Sequence, residues 1–128
     1  ACRAAAEARG LPFSSAACER GALPALEAAL PDDEEPAAIV AYNDLLAIDV
    51  AAALYQRGAR LPLASYDNTS LAARPEFSLT SVDQDPAALA RAAVGMLTGG
   101  GPAHGVATIA PSLVIRASTA TFCTDGCV

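Results

Sequence analysis

The 128-residue chain has no lysine and no tryptophan, a single histidine, a single methionine, and only three phenylalanines beside three tyrosines. Each shortage removes a class of chemistry. Without lysine there is neither a Schiff-base nucleophile nor the phosphate-binding lysine of a P-loop. All eight cations are arginines, set against 14 carboxylates for a net charge of −6. The basic stripe that nucleic-acid binding requires is therefore absent, and the chain is not expected to bind DNA by itself. His104 sits in a Gly/Pro-rich stretch far along the chain from any serine or cysteine motif. An activated nucleophile with its base is not expected, so the chain does not read as an enzyme. No apolar run reaches membrane-spanning length, and the opening ACRAAAEARG has no signal-peptide apolar segment, which points to a cytoplasmic chain with no membrane partner. The four cysteines stand at 2, 18, 123 and 127. Cys123 and Cys127 have no second cluster or histidine beside them to complete a zinc site, so they read as thiols of a frayed tail, and neither metal nor cofactor is expected.

Large apolar side chains are also scarce. Alanine fills 32 positions, so the 53% apolar content overstates how much bulk there is to bury. The length suits one domain with a thin core.

What is present alternates between two periods. Helices are expected over 2–9, 23–30 and 87–97, the last opened by Pro86 at its first turn. Leu23, Leu26, Ala29 and Leu30 would turn the second of these toward the core. Short apolar strands are expected over 37–42, 63–66, 79–82 and 112–116, with Tyr42 and Tyr66 as core residues of theirs. The acidic run 31–36 and the glycines at 99–101 read as solvated loop and turn. Strands alternating with helices imply a parallel α/β sheet.

The stretch AYNDLLAIDV, residues 41–50, joins the first strand to a further helix. After the polar pair, Leu46, Val50, Ala53 and Leu54 follow a helical stripe, which Gly58 ends with Pro62 soon after. Asn and Asp are both good N-caps, and one would be enough. The other would stand at the carboxyl end of a buried strand, where open α/β sheets bind ligands, although two turn residues with no ligand fit the stretch equally well. The strands at 63–66 and 79–82 also run into polar clusters, Asp67-Asn68 and Asp83-Gln84. Parallel strands place all three clusters on a common edge.

Four segments in series, PAAIVAYNDLLAIDVAAALYQRGARLP, ASYDNTSLAA, LTSVDQDPAALARAAVGMLTGG and PSLVIRAST, resemble the effector-binding region of LacI/GalR-family transcriptional regulators. That family carries A-N-D before a helix, G-[YF]-D-D, L-T-T-[VI]-x-Q and L-x-x-R-x-S-T in this order. The resemblance implies a type I periplasmic-binding-protein-like fold, a three-layer α/β/α arrangement with two lobes closing on a small polar molecule such as a sugar or nucleoside. It implies that residues 1–83 and about 105–119 form most of the C-terminal lobe. About 84–104 would be a crossing segment and a helix of the N-terminal lobe, and 120–128 a tail. The helix over 86–97 would then lack its own sheet and be loosely packed, displaced or covered by a second copy. DNA would be bound only through an N-terminal helix-turn-helix that the chain lacks.

The resemblance carries effector contact onto Asn43, Asp67 and Gln84, with Asp44 left as the helix cap. An Asx-turn role for Asp67 and a purely stabilising one for Gln84 stay open beside it. It also implies a homodimer, whose contact would draw on Ile48, Ala51, Ala52 and Tyr55 with Leu71 and Pro75. Arg116 reads as structural or surface. The chain departs from the family at Asn68, which replaces the second Asp, in a shortened lead-in to the strand at 63–66, and near Ala17-Cys18, where the sugar-stacking aromatic is missing. The alternative is a periplasmic or secreted sugar-binding protein of a transporter, which shares the fold.

Overall fold

The computed structural model describes residues 2–17, 23–31, 37–99 and 105–120. The expected acidic loop at 32–36, most of the glycine turn with His104, and Cys18, Cys123 and Cys127 lie outside the described residues. The elements run α1 (Cys2–Glu7), α2 (Leu23–Ala29), β1 (Ile39–Val40), α3 (Asp44–Arg57), β2 (Leu63–Tyr66), β3 (Thr80–Asp83), α4 (Pro86–Leu97), β4 (Ser112–Val114) and α5 (Ala117–Ala120).

The four strands form one sheet in the order β1-β2-β3-β4. Ile39 pairs with Leu63 and Ala64 with Thr80, both in parallel. The last pairing departs from the expected parallel sheet, because β4 runs antiparallel to β3 with Val82 opposite Leu113. A parallel return would need a crossover helix lying on the sheet. The helix between these strands, α4, buries none of its residues, so the chain comes straight back.

The sheet face that carries Leu63 and Ser65 is covered by α3, and α2 packs on α3 in turn. The buried apolar residues are Leu26, Ala41, Ala47, Val50, Ala53, Leu54, Leu63, Ala72 and Leu79. Four of these nine are alanine, which makes the core as thin as the composition implied. Of the residues expected to turn α2 inward, Leu26 is buried and Leu30 half-buried, but Ala29 is exposed.

The opposite sheet face is only partly covered. There α5 reaches Thr80 through a 2.7 Å bond between the Thr80 and Thr119 hydroxyls, while Val40, Tyr66 and Leu113 stay exposed. β1 is therefore not the buried strand that its apolar run implied. Tyr42 and Tyr66 are not core residues either, at 85% and 38% exposed. The cause is position, since β1 is the edge strand and both tyrosines fall on the open face.

Candidate functional site

Because β1, β2 and β3 are parallel, their carboxyl ends share one edge, and Asn43-Asp44, Asp67-Asn68-Thr69 and Asp83-Gln84-Asp85 come together there. At the end of β1, Asn43 has extended backbone (φ −153°, ψ 172°) and its Oδ1 accepts the Leu46 amide at 2.9 Å. Asn43 is thus the N-cap of α3, and the expectation that Asp44 would cap is corrected. Asp44 is the first helical residue, and its side chain turns inward with the stripe Ala47, Val50 and Leu54. That phase was visible in the sequence at spacings of three, three and four. A stripe read from Leu46 hides that phase, because Leu46 is only half-buried.

Asp44 is 0% exposed, and both its oxygens are fully engaged. Oδ1 accepts the Ser65 hydroxyl at 2.6 Å and the Ser81 hydroxyl at 2.7 Å, while Oδ2 accepts the Thr69 amide at 2.6 Å and the Thr69 hydroxyl at 2.8 Å. Burial by itself would push this carboxyl's pKa up. The bonds from Ser65, Ser81 and Thr69 together outweigh it and hold the pKa below its ordinary value, so Asp44 is buried as a carboxylate. Those three partners were not found in the sequence, because serine and threonine in a strand or turn carry no local mark of such a bond.

After β2 the chain makes a turn that few residue types tolerate. Asp67 and Asn68 both have positive φ, 100° and 47°, a region where Asn and Asp are the usual non-glycine occupants. The side chain of Asp67 is exposed, and its Oδ1 accepts from Gln84 Nε2 at 2.9 Å. Its Oδ2 has no partner among the described residues. Asn68 is tied on both sides, since Arg116 Nη2 donates to its Oδ1 at 2.7 Å and its Nδ2 donates to Asp83 Oδ2 at 2.9 Å. Arg116 also donates to the Leu79 carbonyl, so it is structural. An aspartate at 68, as the resembled family has, could not donate to Asp83. The Asp85 amide and Asn68 hold the Asp83 carboxyl below its usual range.

Of the residues expected to contact an effector, Asp67 and Gln84 are brought into direct contact, and Asn43 stands on the same edge with its side-chain oxygen used as a cap. The residues expected at a dimer contact are scattered in burial. Ala52, Tyr55 and Pro75 are exposed, Leu71 is half-buried, and Ile48 and Ala51 pack partly against the core. No group of three metal-ligating side chains occurs among the described residues, and no described helix is long and apolar enough to cross a membrane.

Residues 1–119 match the family described as periplasmic binding protein-like domain. The chain belongs to that family. Among solved structures it is similar to a LacI family transcriptional regulator from Arthrobacter sp. FB24, at 28% identity and a TM-score of 0.77 over 91% of this chain and 49% of that one. A putative LacI-family regulator from Sanguibacter keddieii is 26% identical with a TM-score of 0.70, over 92% of this chain and 50% of that one. The transcriptional regulator CelR in complex with cellobiose is 27% identical with a TM-score of 0.65, over 91% of this chain and 40% of that one. This chain therefore spans about half the length of the regulators it resembles. No curated protein gives a match.

Proposed function

We propose that this chain is the effector-sensing part of a cytoplasmic LacI-type transcriptional regulator, and that a small polyhydroxy molecule binds at the edge where β1, β2 and β3 end. The observation that carries this reading is the contact of Asp67 with Gln84, where Gln84 Nε2 donates to Asp67 Oδ1 at 2.9 Å at the edge that Asn43 also borders. An ionised carboxylate accepts from paired hydroxyls, and an amide beside it both donates and accepts. That is the donor and acceptor set a sugar-like ligand needs. The bound cellobiose of one solved relative supports the same ligand class. Effector occupancy would then shift DNA affinity through one conformational equilibrium in the full-length regulator, with DNA contacted outside this chain.

Titration calorimetry of the full-length regulator against hexoses and their disaccharides, cellobiose included, tests the reading. Asp67→Ala is expected to weaken binding by about 1–3 kcal/mol, because a ligand hydroxyl loses a charged acceptor. Binding unchanged by Asp67→Ala would remove Asp67 from the site.

A further inference from the structure

Asp44 is the only charged side chain that is fully buried among the described residues, and effector contact gives it nothing to do. Capping does not explain it either, since Asn43 performs that role. Its partners come from three separate places: the end of β2, the middle of β3, and the turn between them. What these bonds grip is the turn that presents Asp67. Three successive amides of that turn are each tied to a different acceptor. The Asp67 amide donates to the Val82 carbonyl at 3.0 Å, the Asn68 amide to the Ser81 hydroxyl at 2.9 Å, and the Thr69 amide to Asp44. Ser81 is shared, because the hydroxyl that accepts from Asn68 is the one that donates to Asp44. Such a relay is polarised by the charge at its end, which strengthens both bonds. The backbone between these anchors is the positive-φ pair Asp67-Asn68. A conformation of that kind persists only where its surroundings over-determine it.

We propose that Asp44 is the positioning residue of the site. By holding Thr69 directly and Asn68 through Ser81, it sets the left-handed backbone at 67–68, and with it the direction in which the Asp67 carboxylate faces the edge. The proposal rests on the effector reading only for what Asp67 does once it is positioned.

Two variants leave the buried charge in place and loosen its grip. Thr69→Val removes one of the two Thr69 bonds, and Ser81→Ala cuts the relay to Asn68; Asp44→Asn is a third, and its failure to fold would leave the first two to decide. In the 128-residue chain, amide exchange at Asn68 and Thr69 is expected to speed roughly tenfold relative to Val50 in the core, because the turn opens locally. Equal exchange at those amides in the parent and both variants would overturn the proposal. In the full-length regulator, Thr69→Val is expected to weaken cellobiose or hexose binding roughly tenfold, yet to add nothing in an Asp67→Ala background, since the two changes act through one group. A loss of the same size in both backgrounds would mark general destabilisation and overturn the positioning role. Parent-like affinity in both variants despite a freed turn would do the same, with the effector reading intact. Should no sugar bind the parent, the effector reading fails, and amide exchange alone then decides whether Asp44 sets the turn.

Discussion

Two adjacent polar residues at the end of β1 divide the work opposite to the way their side-chain chemistry alone implied. Both are good caps, and cap preference could not rank them; the helix phase could, because Asp44 lies in line with Ala47, Val50 and Leu54. The energetic order follows. Asn43→Ala removes a cap and is expected to cost about 0.5–2 kcal/mol. Asp44→Ala takes the acceptor from four donors at once: the buried Ser81 hydroxyl, the Ser65 hydroxyl, which keeps only a 3.4 Å bond to the Thr80 carbonyl, and the half-buried Thr69 amide and hydroxyl. A buried donor left without its acceptor costs about 1–3 kcal/mol, so the loss at Asp44 is expected to be the larger one. Urea midpoints of the two variants check this, and a midpoint lower for Asn43→Ala would contradict it. The pH dependence has a definite sign. Asp44 has a depressed pKa in the folded state, so its contribution is complete above the ordinary aspartate pKa and is lost as the pH falls below that value toward the folded one. Asp83, shifted in the same direction, adds to the same trend. Stability should fall in acid for the parent, and Asp44→Asn should flatten that fall in a urea series across pH. The edge itself was legible in the sequence, because polar clusters ended three apolar runs. The grip on it was not, because Ser65, Thr69 and Ser81 lie 21 to 37 residues from Asp44 and nothing local marks a residue for a bond over that separation.

Among the elements, α3 and α4 are equally well started and very differently held. Asn43 caps one and Asp85, with Pro86 behind it, caps the other. Gly58 (φ 68°) closes α3 in a left-handed cap whose amide returns to the last turn. α3 buries a full stripe, whereas α4 buries nothing and leaves Leu89, Val94, Met96 and Leu97 exposed. A short helix without packing is marginal in water. Amides of α4 are therefore expected to exchange orders of magnitude faster than those of Val50 to Leu54, and comparable protection in the two helices would show that α4 is held by something else. Gly95→Ala probes the same point, since nothing lies within 4 Å of an added Cβ there. It should raise helix content while leaving the urea midpoint unmoved, as propensity of about 0.5–1 kcal/mol is spent on a helix uncoupled from the core. Strand positions were readable from their apolar runs, most closely at β2. Strand direction was not, because an apolar run reads the same whichever way it lies, and the antiparallel β4 follows from where α4 goes.

For the whole molecule the deciding quantity is apolar surface left over once the core is filled. Alanine-rich elements bury little, and the exposed set includes Val40, Tyr42, Tyr66, Leu113 and Ile115 about the open sheet face and Tyr55, at 86% exposed, on the outer side of α3. Two forces oppose each other when two copies meet. Burying apolar area favours contact by about 25 cal/mol per Å², while a net charge of −6 on each copy resists it over about 10 Å at moderate salt. Self-association is therefore expected to be weak at low ionic strength and to strengthen as salt screens the charge, the reverse of a contact built on ion pairs. Tyr55→Glu tests the α3 side without disturbing the core, which Ile48→Asp would do because Ile48 packs partly against it. Leu113→Glu tests the open sheet face in the same way. The sheet face holds more of this surface, but the resemblance puts the contact between copies on α3, so sedimentation velocity at low and high salt is expected to show the parent associating with rising salt and Tyr55→Glu staying monomeric, with Leu113→Glu close to the parent. If Leu113→Glu alone abolishes association, copies meet through the sheet face and the α3 contact is refuted; if association weakens with salt, apolar burial is not what drives it.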